Sequence, residues 1–182
     1  MTQSVASTIA AERIALPVAE RERAAKATAA RISNRVVVGG KLLPAVTGER
    51  FEVENPANAE VIGYAPRCGD ADVARAVEAA AAALPRWSAL PPRQRSTLLL
   101  ETASLLEREA ESIAELSALE TGNALATQTR GEARSMVDII RFFAGLASEL
   151  KGKTIPWTPG RFLFTKRVPV GVVGAIIPWN AP

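Results

Sequence analysis

The stretch Gly171-Val172-Val173-Gly174-Ala175-Ile176-Ile177, which continues directly into Pro178-Trp179-Asn180, decides the fold of this chain. From Gly171 to Ile177 every residue is glycine or apolar. Continuous apolar runs are typical of strands buried on both faces of a parallel sheet, whereas half-exposed strands alternate apolar and polar residues. Such a strand needs partner strands and covering helices, and none follows it. We therefore expect an α/β chain cut just after the first strand of a parallel sheet.

The composition excludes several classes of catalytic and structural site. The 182 residues include no histidine, and Cys68 is the single cysteine. A zinc site built from cysteine and histidine needs about four ligands, and a Ser-His-Asp or Cys-His arrangement needs a histidine. One cysteine cannot form a disulfide framework, so nothing indicates an oxidising compartment. We expect no metal site and a cytoplasmic location.

The net charge of +3 belongs to the N-terminal extension. Residues 1–35 hold six basic and three acidic side chains, whereas residues 36–182 hold 16 of each. The extension contains no aromatic residue and mixes both charges, which is not the pattern of a nucleic-acid interface. No apolar run approaches the roughly 18 residues of a membrane-spanning helix. The sequence thus predicts no nucleic-acid partner, no membrane partner, and a flexible or partly helical extension without a packed core over 1–34.

Residues 35–160 are predicted to form a small β-meander followed by helices. Phe51-Glu52-Val53-Glu54 alternates as a half-buried strand does, and regular turn signals over 35–67 indicate a three-stranded antiparallel meander. Apolar residues at helical spacing then predict four helices over 70–150. Their boundary signals are Asp70 as the first N-cap, Pro85, Pro91-Pro92, Gly122 and Ala126. Residues 161–170 predict another strand, and Pro169 is typical of an edge position.

The segment Gly171–Asn180 resembles the first Rossmann-like strand and following loop of the aldehyde dehydrogenase superfamily. Upstream, Val38–Lys41 is similar to the opening hairpin of that family, Phe51–Pro56 to its second strand, and Leu119–Gly122 to its break between helices. The resemblance covers about residues 35–182. It implies the truncated N-terminal part of an aldehyde dehydrogenase-like fold: a β-meander, a helical segment, an oligomerisation-arm strand over 161–170, and over 171–182 the first strand of a dinucleotide-binding sheet.

The resemblance also implies a reaction. Members of the family oxidise an aldehyde to a carboxylic acid with NAD or NADP, through a cysteine thiohemiacetal and a thioester that a glutamate-activated water hydrolyses. The substrate would be a small aldehyde, and the strand Phe162–Pro169 would pair across subunits in a homodimer or homotetramer. Within the family, an acylating semialdehyde dehydrogenase is a minor alternative, since that branch more often carries another aromatic residue in place of Trp179.

Asn180 is the one catalytic residue that the resemblance assigns to this chain. Its side-chain amide would help to stabilise the tetrahedral oxyanion, as a neutral donor fixed where negative charge develops. The resemblance assigns cofactor contacts to Ile176, Ile177, Pro178, Trp179 and Asn180. Two other interpretations stay open: Asn180 as a plain turn residue, and the two isoleucines as sheet core.

The family nucleophile and general base have no counterpart in these 182 residues, because both follow the Pro-Trp-Asn motif at a distance. Cys68 matches no catalytic position. The chain by itself is therefore predicted to lack dehydrogenase activity and to expose an aggregation-prone strand at Gly171–Pro182. The alternative function is a non-catalytic helical interaction or oligomerisation module, or a remnant of a dehydrogenase.

Overall fold

The computed structural model describes residues 12–180. In chain order its regular elements are α1 (Val18–Ile32), β1 (Val36–Val38), β2 (Lys41–Leu43), β3 (Arg50–Asn55), β4 (Glu60–Pro66), α2 (Asp70–Ala89), α3 (Pro92–Thr121), a π-helix (Leu125–Thr129), α4 (Arg130–Leu146), β5 (Thr154–Ile155) and β6 (Leu163–Phe164). The predictions that fall on residues 1–11, Ala181 and Pro182 lie outside the described residues.

The strands form three separate antiparallel pairs: β1 with β2, β3 with β4, and β5 with β6. Gly39 and Gly40 both take positive φ angles, of 59° and 77°, and close the predicted opening hairpin as a tight turn. The structure differs from the single meander expected over 35–67. Pro44 directly follows β2 and has no backbone N–H to continue a ladder, so β3 starts a new sheet.

Residues 70–150 form three α-helices rather than the predicted four: α2 and α3 are longer than predicted, whereas α4 is shorter because the π-helix precedes it and it ends at Leu146. α2 begins at Asp70 with Gly69, rather than Asp70, at the N-cap, and it continues through Pro85 to Ala89. α3 merges two predicted helices, because residues 107–112 contain neither glycine nor proline to end it. It ends where predicted, at Gly122, whose φ of 76° lies in the left-handed region.

The N-terminal helix α1 packs on the body, which differs from the expected absence of a packed core. Ala25 is fully buried and Ala29 nearly so, and the helix contacts both α3 and β4. The Lys26 ammonium lies 2.7 Å from a Glu60 carboxylate oxygen in β4. Alanine side chains let two backbones approach closely, so a helix without large apolar residues on that face is still held.

The main core lies between α3 and α4. Its buried apolar side chains are small: Ala103 and Ala114 in α3, and Ala133, Val137 and Ala144 in α4. Larger apolar side chains on α4 stay exposed, among them Phe142 and Phe143. No helix within residues 12–180 is long and apolar enough to cross a bilayer.

The run Gly171–Ile177 has no regular secondary structure and pairs with no strand in the described structure. Its apolar side chains are accordingly exposed: Ile176 completely, Val173 to 72% and Ile177 to 68%. This differs from the buried strand that the sequence predicts. A ladder needs a neighbouring strand to hydrogen-bond with, and residues 12–180 place none beside this run.

Candidate functional site

Asn180 lies in a turn at the end of the exposed apolar run, and its backbone carbonyl is held by two side-chain amides. Nδ2 of Asn123 donates to this oxygen at 3.0 Å, and Nε2 of Gln128 lies 3.5 Å from it. These donors are 57 and 52 residues away along the chain. The contacts bring the Pro-Trp-Asn turn against the junction between α3 and the π-helix.

Asn123 is fixed by the way α3 ends. Gly122 turns the chain in the left-handed region, and its N–H donates to the carbonyl of Ala118 at 3.0 Å. The Thr121 hydroxyl accepts the Asn123 N–H at 3.1 Å and donates to the Ser117 carbonyl at 2.7 Å. Since the N–H of residue 123 is held by Thr121 directly after the turn at Gly122, its short side chain reaches a defined point beyond the helix end.

Gln128 is placed by the π-helix. The carbonyl of Ala124 accepts both the Gln128 N–H at 2.9 Å and the Thr129 N–H at 3.3 Å, so the turn is wider than an α-helical one. π-turns of this kind are frequent at functional sites because they redirect a side chain. The Gln128 amide also donates to Oε1 of Glu132 at 3.0 Å, one turn further along. This second contact orients the amide toward Asn180.

A buried ion pair ties the start of α4 to α3 behind these residues. Nε of Arg130 lies 3.0 Å from both carboxylate oxygens of Glu111, and the Glu111 side chain is only 7% exposed. These hydrogen bonds raise the pKa of the Arg130 guanidinium above its ordinary value. Next to it, Nε of Arg13 donates to Oε2 of Glu115 at 2.8 Å. The Arg130–Glu111 pair therefore holds the start of α4, directly after the π-helix, on α3, and the Arg13–Glu115 pair holds the N-terminal segment on the same helix.

Unlike the backbone carbonyl, the side-chain amide of Asn180 makes no hydrogen bond to any residue of the described part of the chain. A neutral amide held by its backbone, with its own N–H groups unused, can donate to an oxygen that gains negative charge. This is what the resemblance expects of Asn180, and the geometry is compatible with that role.

The four neighbouring residues assigned to the cofactor lie on the same exposed segment as Asn180. Ile176, Ile177 and Trp179 expose 102%, 68% and 89% of their surface, and Pro178 is exposed as well. The segment therefore presents an apolar strip directly before the amide of Asn180.

Cys68 lies outside this site, between β4 and α2, with an exposed thiol. No group of three or more acidic, cysteine or histidine side chains that could hold a metal ion is found in residues 12–180. Sequence reasoning missed Asn123 and Gln128. The only signal was the Thr121-Gly122-Asn123 break, which marks a helix end and says nothing about what the asparagine contacts.

Comparison with known proteins gives a consistent result. The sequence profile described as "Aldehyde dehydrogenase family" matches residues 44–182. The Bacillus subtilis (strain 168) protein named "Putative aldehyde dehydrogenase DhaS" is 34% identical over 152 residues, which are 82% of this chain and 31% of that protein. The crystal structure of HpcC from Thermus thermophilus superposes with a TM-score of 0.84 at 32% identity, over 90% of this chain and 32% of that one.

A second solved structure, the NAD⁺ complex of an aldehyde dehydrogenase from Bacillus cereus, superposes with a TM-score of 0.81 at 30% identity. The match covers 86% of this chain and 32% of that one. The chain thus spans about a third of the length of the relatives that it matches.

Proposed function

Because this chain belongs to the aldehyde dehydrogenase family, we propose that the protein containing it oxidises a small aldehyde to a carboxylic acid with NAD or NADP. The observation that carries the proposal is the position of Asn180. Its carbonyl is fastened by Asn123 and Gln128, while its side-chain amide makes no hydrogen bond within residues 12–180. That is the arrangement an oxyanion donor needs.

In the proposed reaction a thiolate attacks the aldehyde carbon, and the carbonyl oxygen becomes negatively charged. The Asn180 amide donates a hydrogen bond to this oxygen and lowers the energy of the tetrahedral state. The donor carries no titratable proton, so its contribution does not depend on pH. The loss of one such donor typically costs about 10²–10³ in rate.

The cofactor contacts are proposed for Ile176, Ile177, Pro178, Trp179 and Asn180. Their exposed apolar strip would contact one face of the dinucleotide and exclude water from it. When bound, NAD or NADP supplies the acceptor for the hydride that leaves the substrate carbon. We also propose that the protein is a cytoplasmic homodimer or homotetramer. β6 supports an intersubunit strand, because Phe162 just before it and Phe164 within it are 76% and 59% exposed.

The nucleophilic cysteine and the general-base glutamate are not assigned to any residue of this chain. Cys68 precedes α2 and matches no catalytic position in the resemblance. We therefore propose that the 182-residue chain alone reduces neither NAD nor NADP when an aldehyde is supplied.

A second candidate is a non-catalytic helical interaction module. The outer side of α4 favours it, because Ile139, Phe142 and Phe143 are 55%, 63% and 59% exposed. Apolar patches of this kind mark surfaces that contact another protein unit. In the catalytic account, the remainder of the dinucleotide-binding domain would cover them.

One experiment separates the two candidates. The DNA following the codon for Pro182 is read, and the 182-residue chain and the complete gene product are purified and assayed for NAD(P)H formation with a panel of small aldehydes. The enzyme account predicts an in-frame glutamate motif and a Gly-Gln-Cys-type segment, with activity in the complete product only. A stop codon after Pro182, or a complete product that reduces neither cofactor, would support the interaction module. Activity of the 182-residue chain would contradict the proposed location of the nucleophile.

A further inference from the structure

The backbone of Asn180 is held at one atom by two residues to which the resemblance assigns no role. The carbonyl oxygen of Asn180 accepts from Asn123 at 3.0 Å and from Gln128 at 3.5 Å. The two amides therefore supply the side-chain hydrogen bonds that hold the turn at residue 180 from within residues 12–180.

We propose that Asn123 and Gln128 are positioning residues that aim the Asn180 side chain by clamping its carbonyl. The inference rests on the proposed role of Asn180 as the oxyanion donor. A clamp on the carbonyl restrains rotation of the backbone that carries the side chain, and it leaves the side-chain amide free. Preorganised donors stabilise a transition state because they need no reorganisation as charge develops.

Each clamp residue is itself held by an independent element. Asn123 follows the left-handed end of α3, where the hydroxyl of Thr121 accepts its N–H. Gln128 sits in the π-turn and is oriented by its second hydrogen bond, to Glu132. Two amides from different elements that donate to one oxygen fix the direction in which the Asn180 carbonyl points. One flexible contact would not fix it. The widened turn of the π-helix is what brings the second amide there.

A catalytic test asks whether the clamp acts through Asn180. In the complete gene product, the double variant Asn123→Ala/Gln128→Ala is compared with the same pair of substitutions in an Asn180→Ala background. A misplacement of about 1 Å can cost about 10²-fold in rate, so the smaller displacement expected here should lower kcat about tenfold when Asn180 is present. It should fall less than about twofold when Asn180 is already alanine, because residues that act as a unit are not additive.

The outcomes are separable. An equal loss of kcat in both backgrounds would show a merely structural role and overturn the clamp. An unchanged kcat in the double variant that keeps Asn180 would also overturn it. Full activity of Asn180→Ala would instead overturn the proposed function of Asn180. Gln94→Ala is the matched control, since Gln94 is an exposed amide on α3 remote in sequence from the clamp, and it should leave kcat unchanged. If the double variant folds poorly, Asn123→Asp serves instead: it keeps the shape but replaces the donor with a charged acceptor, and kcat should again fall only when Asn180 is present.

A second measurement does not depend on activity. In the 182-residue chain with Trp87→Phe and Trp157→Phe, Trp179 is the one remaining tryptophan and lies next to the clamped carbonyl. Removal of both amides should lower its fluorescence anisotropy, while circular dichroism shows unchanged helix content. Unchanged anisotropy would contradict the clamp.

Discussion

Gly122 connects the local structure of α3 to the candidate site, because the turn that it makes aims Asn123. Its φ is 76°, and a Cβ at this position would lie 2.9 Å from Cγ of Pro56. Both the backbone conformation and the neighbouring proline ring therefore require glycine here. The same glycine ends α3 and starts the loop that reaches Asn180.

Gly122→Ala is expected to destabilise the fold by more than about 1 kcal/mol, since alanine is strained at this φ and meets Pro56. Gly131→Ala is the matched control, because a Cβ at Gly131, in the first turn of α4, has no atom within 4 Å. In a helix that change should stabilise by about 0.5–1 kcal/mol. Urea unfolding followed by circular dichroism measures both. Equal effects of the two substitutions would contradict the account.

A larger loss of stability is expected when the Glu111–Arg130 ion pair is broken. Glu111→Ala leaves a guanidinium that is 18% exposed without its carboxylate partner, and breaking a buried pair in this way typically costs about 3–5 kcal/mol. Glu149→Ala breaks an exposed pair, with Lys151 69% and Glu149 57% exposed, and should change stability by less than about 0.5 kcal/mol. Urea midpoints report the difference. A loss below about 1 kcal/mol for Glu111→Ala would mean that the pair is not buried in solution.

Among the elements, α1 shows most clearly what a sequence pattern leaves out. Its mixed charges and alanines form no apolar stripe of large residues, so the sequence predicts no packed face. The structure packs it through Ala25 and Ala29 against α3 and β4. Small side chains contribute little to hydrophobic periodicity but allow close approach, which depends on a partner surface that one helix does not encode.

Ala25→Asp should therefore destabilise the chain by about 3 kcal/mol or lose the fold of α1, because it buries an unpaired charge. Ala27→Asp, on the exposed side of the same helix, has a similar effect on helix propensity and should cost less than about 1 kcal/mol. Thermal unfolding of the two variants is the measurement. Matching melting temperatures would indicate that α1 does not pack on the body.

Features set by local backbone conformation were predictable from the sequence, whereas features that depend on distant contacts were less so. The β1–β2 hairpin follows from two adjacent glycines, and the end of α3 from Gly122, because both depend on local backbone conformation. Pro44 and the lack of glycine or proline over residues 107–112 permit the separation of β2 from β3 and the continuity of α3, but which strands pair and where a helix stops also depend on packing. The roles proposed for Ile176, Ile177, Pro178, Trp179 and Asn180 come from the sequence resemblance and stay predictions. Asn123 and Gln128 were not identifiable from the sequence, since their contacts with Asn180 join residues 57 and 52 positions apart.

At the scale of the whole molecule, exposed apolar surface is the most prominent feature of residues 12–180. Ile176, Ile177, Phe142 and Phe143 are all more than half exposed. The chain spans about a third of its relatives, and in the proposed enzyme the remaining sheet and helices would cover this surface. The apolar run at 171–177 would then gain the strand partners that it lacks here.

Deletion of residues 169–182 from the 182-residue chain is expected to raise its solubility, because an unpaired apolar strand promotes edge-to-edge association. Light scattering of the soluble fraction against concentration measures the effect. Ile176→Lys/Ile177→Lys should act in the same direction without shortening the chain. Unchanged scattering in both would show that the run is not the source of association.

The catalytic role of Asn180 is tested most directly by the rate of NAD(P)H formation by the complete gene product with Asn180 intact and with Asn180→Ala. If the amide stabilises the oxyanion, kcat should fall by about 10²–10³ while the melting temperature stays the same. A variant that keeps the original kcat would contradict the assignment of this chain's catalytic role to Asn180.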